Sequence, residues 1–190
     1  NLLISHSQIR DSISHGVYTF NVIRMDNVLI ADSGTCGIYS DTHNNAGSIY
    51  LNNIPVTGSG TYGYYFNGSY SPGVYCYNSI FEGNKTQGVY EGKSGFHAYK
   101  CCFFGNGNDN VNTGVKDENV DKVPSCIYVD PLVDQTATLR GHLGAGSPCA
   151  QTGGNYSAIT QAPSTSDLDY MKRLTDKMDI GCYISPETME

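Results

Sequence analysis

The sequence predicts an all-β fold, a right-handed parallel β-helix of about five to seven rungs with a short C-terminal helical or loop cap. Three observations predict it. A Gly-aliphatic-Tyr unit recurs every 21 to 26 residues, apolar columns align across the copies, and the composition favours strands and turns. Gly numbers 22 and Tyr 15, while charged residues make up only 15%. Asn, Ser, Thr and Gly fill the chain where helical proteins carry Ala, Leu and Lys.

The repeat is Gly16-Val17-Tyr18, Gly37-Ile38-Tyr39, Gly63-Tyr64-Tyr65 and Gly88-Val89-Tyr90, with a degenerate fifth copy at Asn110-Val111-Asn112. Asn in place of Gly suggests a left-handed backbone at that column. Seven residues before it stand Ile9, Ile30, Val56, Phe81 and Phe103. Further back come Ile4, Met25, Leu51, Cys76 and Ala98, then Leu2, Ile23, Ile49, Val74 and Phe96. Columns two residues apart are strand period with one face buried, so each unit holds about three short strands. A unit this short cannot bury its own apolar face, and stacking the units can.

The turns align too. His6, Asn27, Asn53, Asn78 and Lys100 form one turn column, and its three asparagines predict an amide ladder. Asp11-Ser12, Asp32-Ser33, Gly58-Ser59, Gly83-Asn84 and Gly105-Asn106 form a second. Rungs are expected over residues 1–134, and a final rung with its cap over 135–190 of the same domain. Within the latter, Ser166–Leu174 reads as a helix, with Ser166 as cap and Asp169 at the capping-box position. That helix is expected to cover the last rung. The first rung, at Leu2 and Ile4, reads as open, so preceding sequence or another subunit is expected to cover it. Because the chain starts inside a repeat, it reads as a processed product or a fragment.

The net charge of −7, with Lys and Arg unclustered, argues against nucleic acid and anionic membrane as partners. Seven cysteines point to an oxidising compartment, and three sequons, at Asn67, Asn84 and Asn155, point the same way. A secreted or cell-surface location is expected.

The rungs resemble the parallel β-helix proteins of the pectin-lyase-like superfamily. The closing part is similar to that group's C-terminal signature: Asp130-Pro131-Leu132-Val133-Asp134, then Gly146-Ser147-Pro148-Cys149, then Asp179-Ile180-Gly181-Cys182-Tyr183. The resemblance implies fold and not reaction, since this fold hosts lyases, hydrolases and inert shafts. Two alanines of the signature are Cys149 and Cys182 here, which suggests a disulfide between them. Cys101 or Cys102 is expected to pair with Cys126, Cys76 to lie in the core, and Cys36 is left open.

Tyr50, Tyr75 and His97 form an outward column with Tyr77 and Tyr99 two residues on, and Tyr18, Tyr39, Tyr65 and Tyr90 form another. Exposed aromatic rows suit polysaccharide, and mutual stacking for rung stability is the plainer reading. For catalysis, His97 among the tyrosines is the one candidate base, weighed against an ordinary solvated histidine. Asp11 with Asp32, and Glu82 with Glu91, are carboxylate pairs expected to be turn and surface residues. Arg10, Arg24, Arg140 and Arg173 stand apart from any acidic cluster. No Cys or His spacing fits a metal, so no metal site or cofactor is expected. Ca²⁺ is the one cation with a candidate loop, at Asp117, Glu118 and Asp121, whose plainer reading is an acidic solvated loop. The expected role is a non-catalytic shaft or glycan-binding surface. The alternatives are a polysaccharide lyase or hydrolase and a self-assembling filament subunit.

Overall fold

A computed structural model describes residues 2–20, 22–41, 47–68, 73–91, 95–107, 109–111, 126–136, 141–154, 166–173, 178–183 and 185. Among the described residues it is a parallel β-solenoid of about four turns. The strands are β1 (Leu2–Arg10), β2 (Val17–Thr19), β3 (Ile23–Ala31), β4 (Ile38–Ser40), β5 (Ile49–Asn52), β6 (Pro55–Thr57) and β7 (Tyr62–Phe66). They continue as β8 (Val74–Tyr77), β9 (Ile80–Glu82), β10 (Gln87–Glu91), β11 (Phe96–Tyr99), β12 (Cys102–Phe104) and β13 (Asp109–Val111).

Every strand pairs with its equivalent one turn away. One sheet runs β11-β8-β5-β3-β6-β9-β12, with β1 also on β3, and the other runs β13-β10-β7-β4-β2. In the first two turns the two leading strands are fused into the long β1 and β3, and from β5 onward they separate. The register matches the columns: Ile9 pairs Ile30, Ile30 pairs Val56, Val56 pairs Phe81, and Phe81 pairs Phe103. These side chains alternate inward and, with Met25, Leu51 and Cys76, form one continuous core. Phe81 and Phe103 stack at 5.4 Å inside it.

Both turn columns bend as the pattern predicts. His6, Asn27, Asn53, Asn78 and Lys100 all have φ between 45° and 54°, as do Asp11 and Asp32 at 53°. The repeat glycine is a correction. Gly16, Gly37 and Gly63 are not left-handed, and their requirement is close approach. A Cβ on Gly16 would sit 2.7 Å from the Gly37 carbonyl oxygen, and one on Gly63 would sit 2.5 Å from that of Gly88.

The C-terminal part departs from expectation. Residues 166–173 form no helix. Ser166 and Lys172 make an antiparallel bridge around a turn. The Asp167 carboxylate accepts the Met171 N–H at 2.7 Å, and Asp167 and Met171 also pair through the backbone at 2.8 Å. That side-chain bond competes with helix propagation and wins. Nor does the segment close the end of the coil. It lies along the side of the shaft: Gly181 N–H donates to Asn78 O, Gln8 Nε2 donates to the Tyr183 hydroxyl, and Tyr170 stacks on His6 in the first turn. Among the described residues no helix is long and apolar enough to cross a membrane.

Candidate functional site

Strand alternation sets the aromatic columns on the outside of the shaft. Tyr18, Tyr39, Tyr65 and Tyr90 stand on β2, β4, β7 and β10. Their centroids are 5.0, 5.2 and 5.0 Å apart and their planes 10°, 27° and 14° apart. His15 joins the row 4.6 Å from Tyr39, with Thr35 Oγ1 2.9 Å from its Nδ1. Partial burial lowers the His15 pKa. The second column, on β5, β8 and β11, places Tyr50 5.5 Å from Tyr75 and Tyr75 5.0 Å from His97. All three are half-buried.

This geometry decides what the columns can do. Parallel strands in register bring like residues face to face at the rung spacing, so the rings cover one another's faces. Only the ring edges and hydroxyls point outward, together with the faces of the terminal rings. A sugar can meet the columns through hydroxyl hydrogen bonds more readily than by stacking.

Tyr77 leaves the expected glycan set. It is 1% exposed, stacked on half-buried Tyr99 at 5.0 Å, and burial pushes its hydroxyl up to about 12. Its strand continues straight into Asn78, whose amide is gripped by the C-terminal segment, so this part of the face is covered. His97 stacks on Tyr75, and its imidazole makes no hydrogen bond among the described residues. Among the described residues it has neither an orienting acceptor nor a proton partner.

A different carboxylate emerges on β9. Partial burial raises the Glu82 pKa to about 7, the negative charge of Asp130 adds to the rise, and a 3.2 Å hydrogen bond from Gln135 Nε2 opposes it. The expected partner Glu91 lies on another strand, β10. Asp130, known from the sequence only as part of the closing signature, is the group the fold brings to Glu82. The bridge from Cys102 to Ile127 carries the chain there.

The asparagine column does not make the expected side-chain ladder. Its amides receive the C-terminal segment instead. Asn27 Nδ2 donates to Ser166 O at 2.5 Å, Arg173 donates to Asn27 Oδ1 at 3.2 Å, and Asn78 exchanges two 2.9 Å bonds with Gly154. Between them Asn53 is fully buried and neither amide atom has a partner among the described residues. Arg173, expected to stand apart, is 5% exposed and reaches both Asn27 and the Gly181 carbonyl at 2.9 Å. Burial pushes its guanidinium down, and the charges of Cys182, Asp167, Asp179 and Asp26 offset that.

The true amide ladder runs through the second turn column. Asn84 Oδ1 accepts the Ser59 N–H at 3.1 Å. Asn84 Nδ2 donates to Val56 O at 3.2 Å and to Asn106 Oδ1 at 2.8 Å, and Asn106 Nδ2 donates to Phe81 O. This removes Asn84 as a glycosylation acceptor in the folded chain, because it is 0% exposed with its amide fully engaged. Asn67 is exposed, and Asn155 lies outside the described residues.

The cysteines are also rearranged. In this structure all seven are thiols and none is in a disulfide. Cys149 and Cys182 fall in separate apolar clusters, Cys149 with Cys102 and Ile180, and Cys182 with Leu29, Leu168 and Tyr183. The single residue Gly181 between Ile180, whose N–H bonds the Cys149 carbonyl, and Cys182 carries the chain to the next cluster. Cys101 donates to Cys76 Sγ at 3.8 Å inside the core, with Cys126 packed against the same core. Among the described residues no group of three or more His, Cys, Asp or Glu is arranged to hold a metal ion. The expected Ca²⁺ loop, Asp117 to Asp121, lies outside the described residues.

No protein-family model, no curated protein and no solved structure matches the chain.

Proposed function

We propose that this chain is a non-catalytic β-helix shaft of a secreted or surface-assembled protein, of the pectin-lyase-like kind, that presents tyrosine-edged faces to a linear polysaccharide. One observation carries the reading: two aromatic columns repeat in register along the shaft at 5.0–5.5 Å. A row of phenol hydroxyls at constant spacing suits an extended, repetitive ligand lying parallel to the axis. Each contact is weak, and affinity comes from their number. The stacks also stiffen the shaft, by about 0.5–1.5 kcal/mol per ring pair.

The test is affinity electrophoresis in gels cast with neutral and acidic plant or microbial polysaccharides. Retardation by at least one polymer that weakens in Tyr75→Phe and Tyr65→Phe supports the reading, since those variants keep the rings and lose the hydroxyls. Unretarded migration in every polymer, or retardation indifferent to both changes, sinks the glycan part and leaves the shaft.

The Glu82–Asp130 pair favours a second reading, glycoside hydrolysis. A carboxyl titrating near neutrality beside a second carboxylate is the division of labour that reaction uses, one as acid and one as base or nucleophile. Release of reducing ends that disappears in Glu82→Gln would replace the first reading with this one.

A further inference from the structure

We propose that Cys102 and Cys149 form a disulfide that fastens the C-terminal segment to the side of the shaft. Alternation along the chain around β12 turns Cys101 and Phe103 into the solenoid core and turns Cys102 out of it. There Cys102 lies under the C-terminal segment, in a small apolar cluster with Ile80, Val133, Leu143, Ile180 and Cys149. Both thiols are 0% exposed within this one cluster, and Cys102 Sγ donates to Val129 O at 3.4 Å.

Cys149 is held in place by its own surroundings. Ser147 Oγ donates to Pro131 O at 2.6 Å and accepts the Cys149 N–H at 3.1 Å, while the Cys149 carbonyl accepts Ile180 N–H at 3.0 Å. The pair therefore meets across the seam between coil and brace. That position separates it from Cys76 and Cys101, whose sulfurs are 3.8 Å apart. Those two sit on adjacent rungs that the β8–β11 ladder already holds in register, so a bond there would restrain nothing new. A bond from Cys102 to Cys149 restrains a seam held otherwise by side-chain packing and scattered hydrogen bonds.

The bond forms while the segment docks, before the cluster closes over the sulfurs. One cysteine thiolate attacks a sulfur of a small-molecule disulfide, releasing one small thiol. The second cysteine thiolate then attacks the protein sulfur of that mixed disulfide and releases the other small thiol. Two cysteine thiols are oxidised and one disulfide oxidant is reduced to two thiols. The secreted location proposed above is needed only for where this happens in the organism.

The test supplies the oxidant in vitro, so its result stands apart from that location. The full chain is refolded with oxidised and reduced glutathione, quenched in acid, alkylated in denaturant and digested without reduction. The expected result is one linked peptide pair containing Cys102 and Cys149, lighter by about 2 Da than the two thiol peptides together. In the same material, reductant speeds proteolytic release of the C-terminal segment by about tenfold or more. Cys149→Ala abolishes that dependence, and Cys182→Ser preserves it. Full alkylation of Cys102 and Cys149 in the oxidised chain overturns the proposal. So does a link from Cys149 to Cys182, or from Cys102 to Cys126.

Discussion

Asn84 shows how one side chain can have two meanings. In the sequence it opens a glycosylation sequon, and in the fold it is the centre of a buried ladder that satisfies Ser59 N–H, Val56 O and Asn106. Asn84→Ala leaves those groups buried and unpaired, a loss of about 3 kcal/mol. In urea unfolding the midpoint should fall while the slope stays constant. When the chain is expressed through a secretory pathway, glycan should appear at Asn67 and not at Asn84, as peptide mapping would show. At Gly37, a methyl group would meet the Gly63 carbonyl oxygen at 2.8 Å as well as Val56. Gly37→Ala is expected to cost about 2–4 kcal/mol, because backbone in two neighbouring rungs would have to move apart. The sequence flagged both positions as special. It placed Asn84 in the turn column and in a sequon and read the Gly37 column as left-handed, since neither burial nor the close approach of the neighbouring rung can be seen from one turn of chain.

At the scale of elements, the decisive unit is the C-terminal brace. Its grip on the shaft is polar and specific: Asn27 takes Ser166 and Arg173, and Asn78 takes Gly154. Asn27→Gly keeps the left-handed turn at φ 52° and removes the grip. The variant should keep its strand signal in far-ultraviolet circular dichroism. Its amides at 166–173 and 178–183 should lose hydrogen-exchange protection by about tenfold or more. Unchanged protection there would mean that the apolar contacts of Leu168, Ile180 and Tyr183 hold the brace without the amide. Along the aromatic column, Tyr39→Leu removes three ring contacts at once, with Tyr18, Tyr65 and His15, a cost of about 1.5–4.5 kcal/mol, and the same change at the terminal Tyr18 removes those with Tyr39, His15 and the exposed Phe20.

Across the whole molecule, two features govern behaviour in solution. The first is pH. Glu82 holds its proton up to about pH 7 in the folded chain, against about 4.5 when unfolded. Its contribution is fully present below the unfolded value and is lost as pH rises through 7, because ionising it forces a partly buried charge beside Asp130. Glu82→Gln should flatten that part of the thermal stability profile between pH 4.5 and 7, and a profile identical to the parent's would remove Glu82 from the account. The second is the first rung. β1 pairs β3 along one edge, while Leu2 and Leu3 are 53% and 62% exposed. If the rung stacks on a second copy, sedimentation should show concentration-dependent association that Leu3→Lys suppresses.

What the sequence by itself determined is the coil. Inward columns, turn residues and strand parity repeat at one period, and a periodic signal is local and redundant, so five imperfect copies establish the register that Ile9, Ile30, Val56, Phe81 and Phe103 adopt. Only the tertiary structure decided where the non-repeating chain goes. The segment after Asp130 has no second copy to align with. Its course along the shaft follows from contacts between residues far apart in sequence, such as Asn27 with Arg173 and Cys102 with Cys149, which no spacing rule anticipates. The same physics explains the aromatic faces: the sequence set the tyrosines in columns, but the rung spacing turned their faces toward one another and left their edges to the solvent.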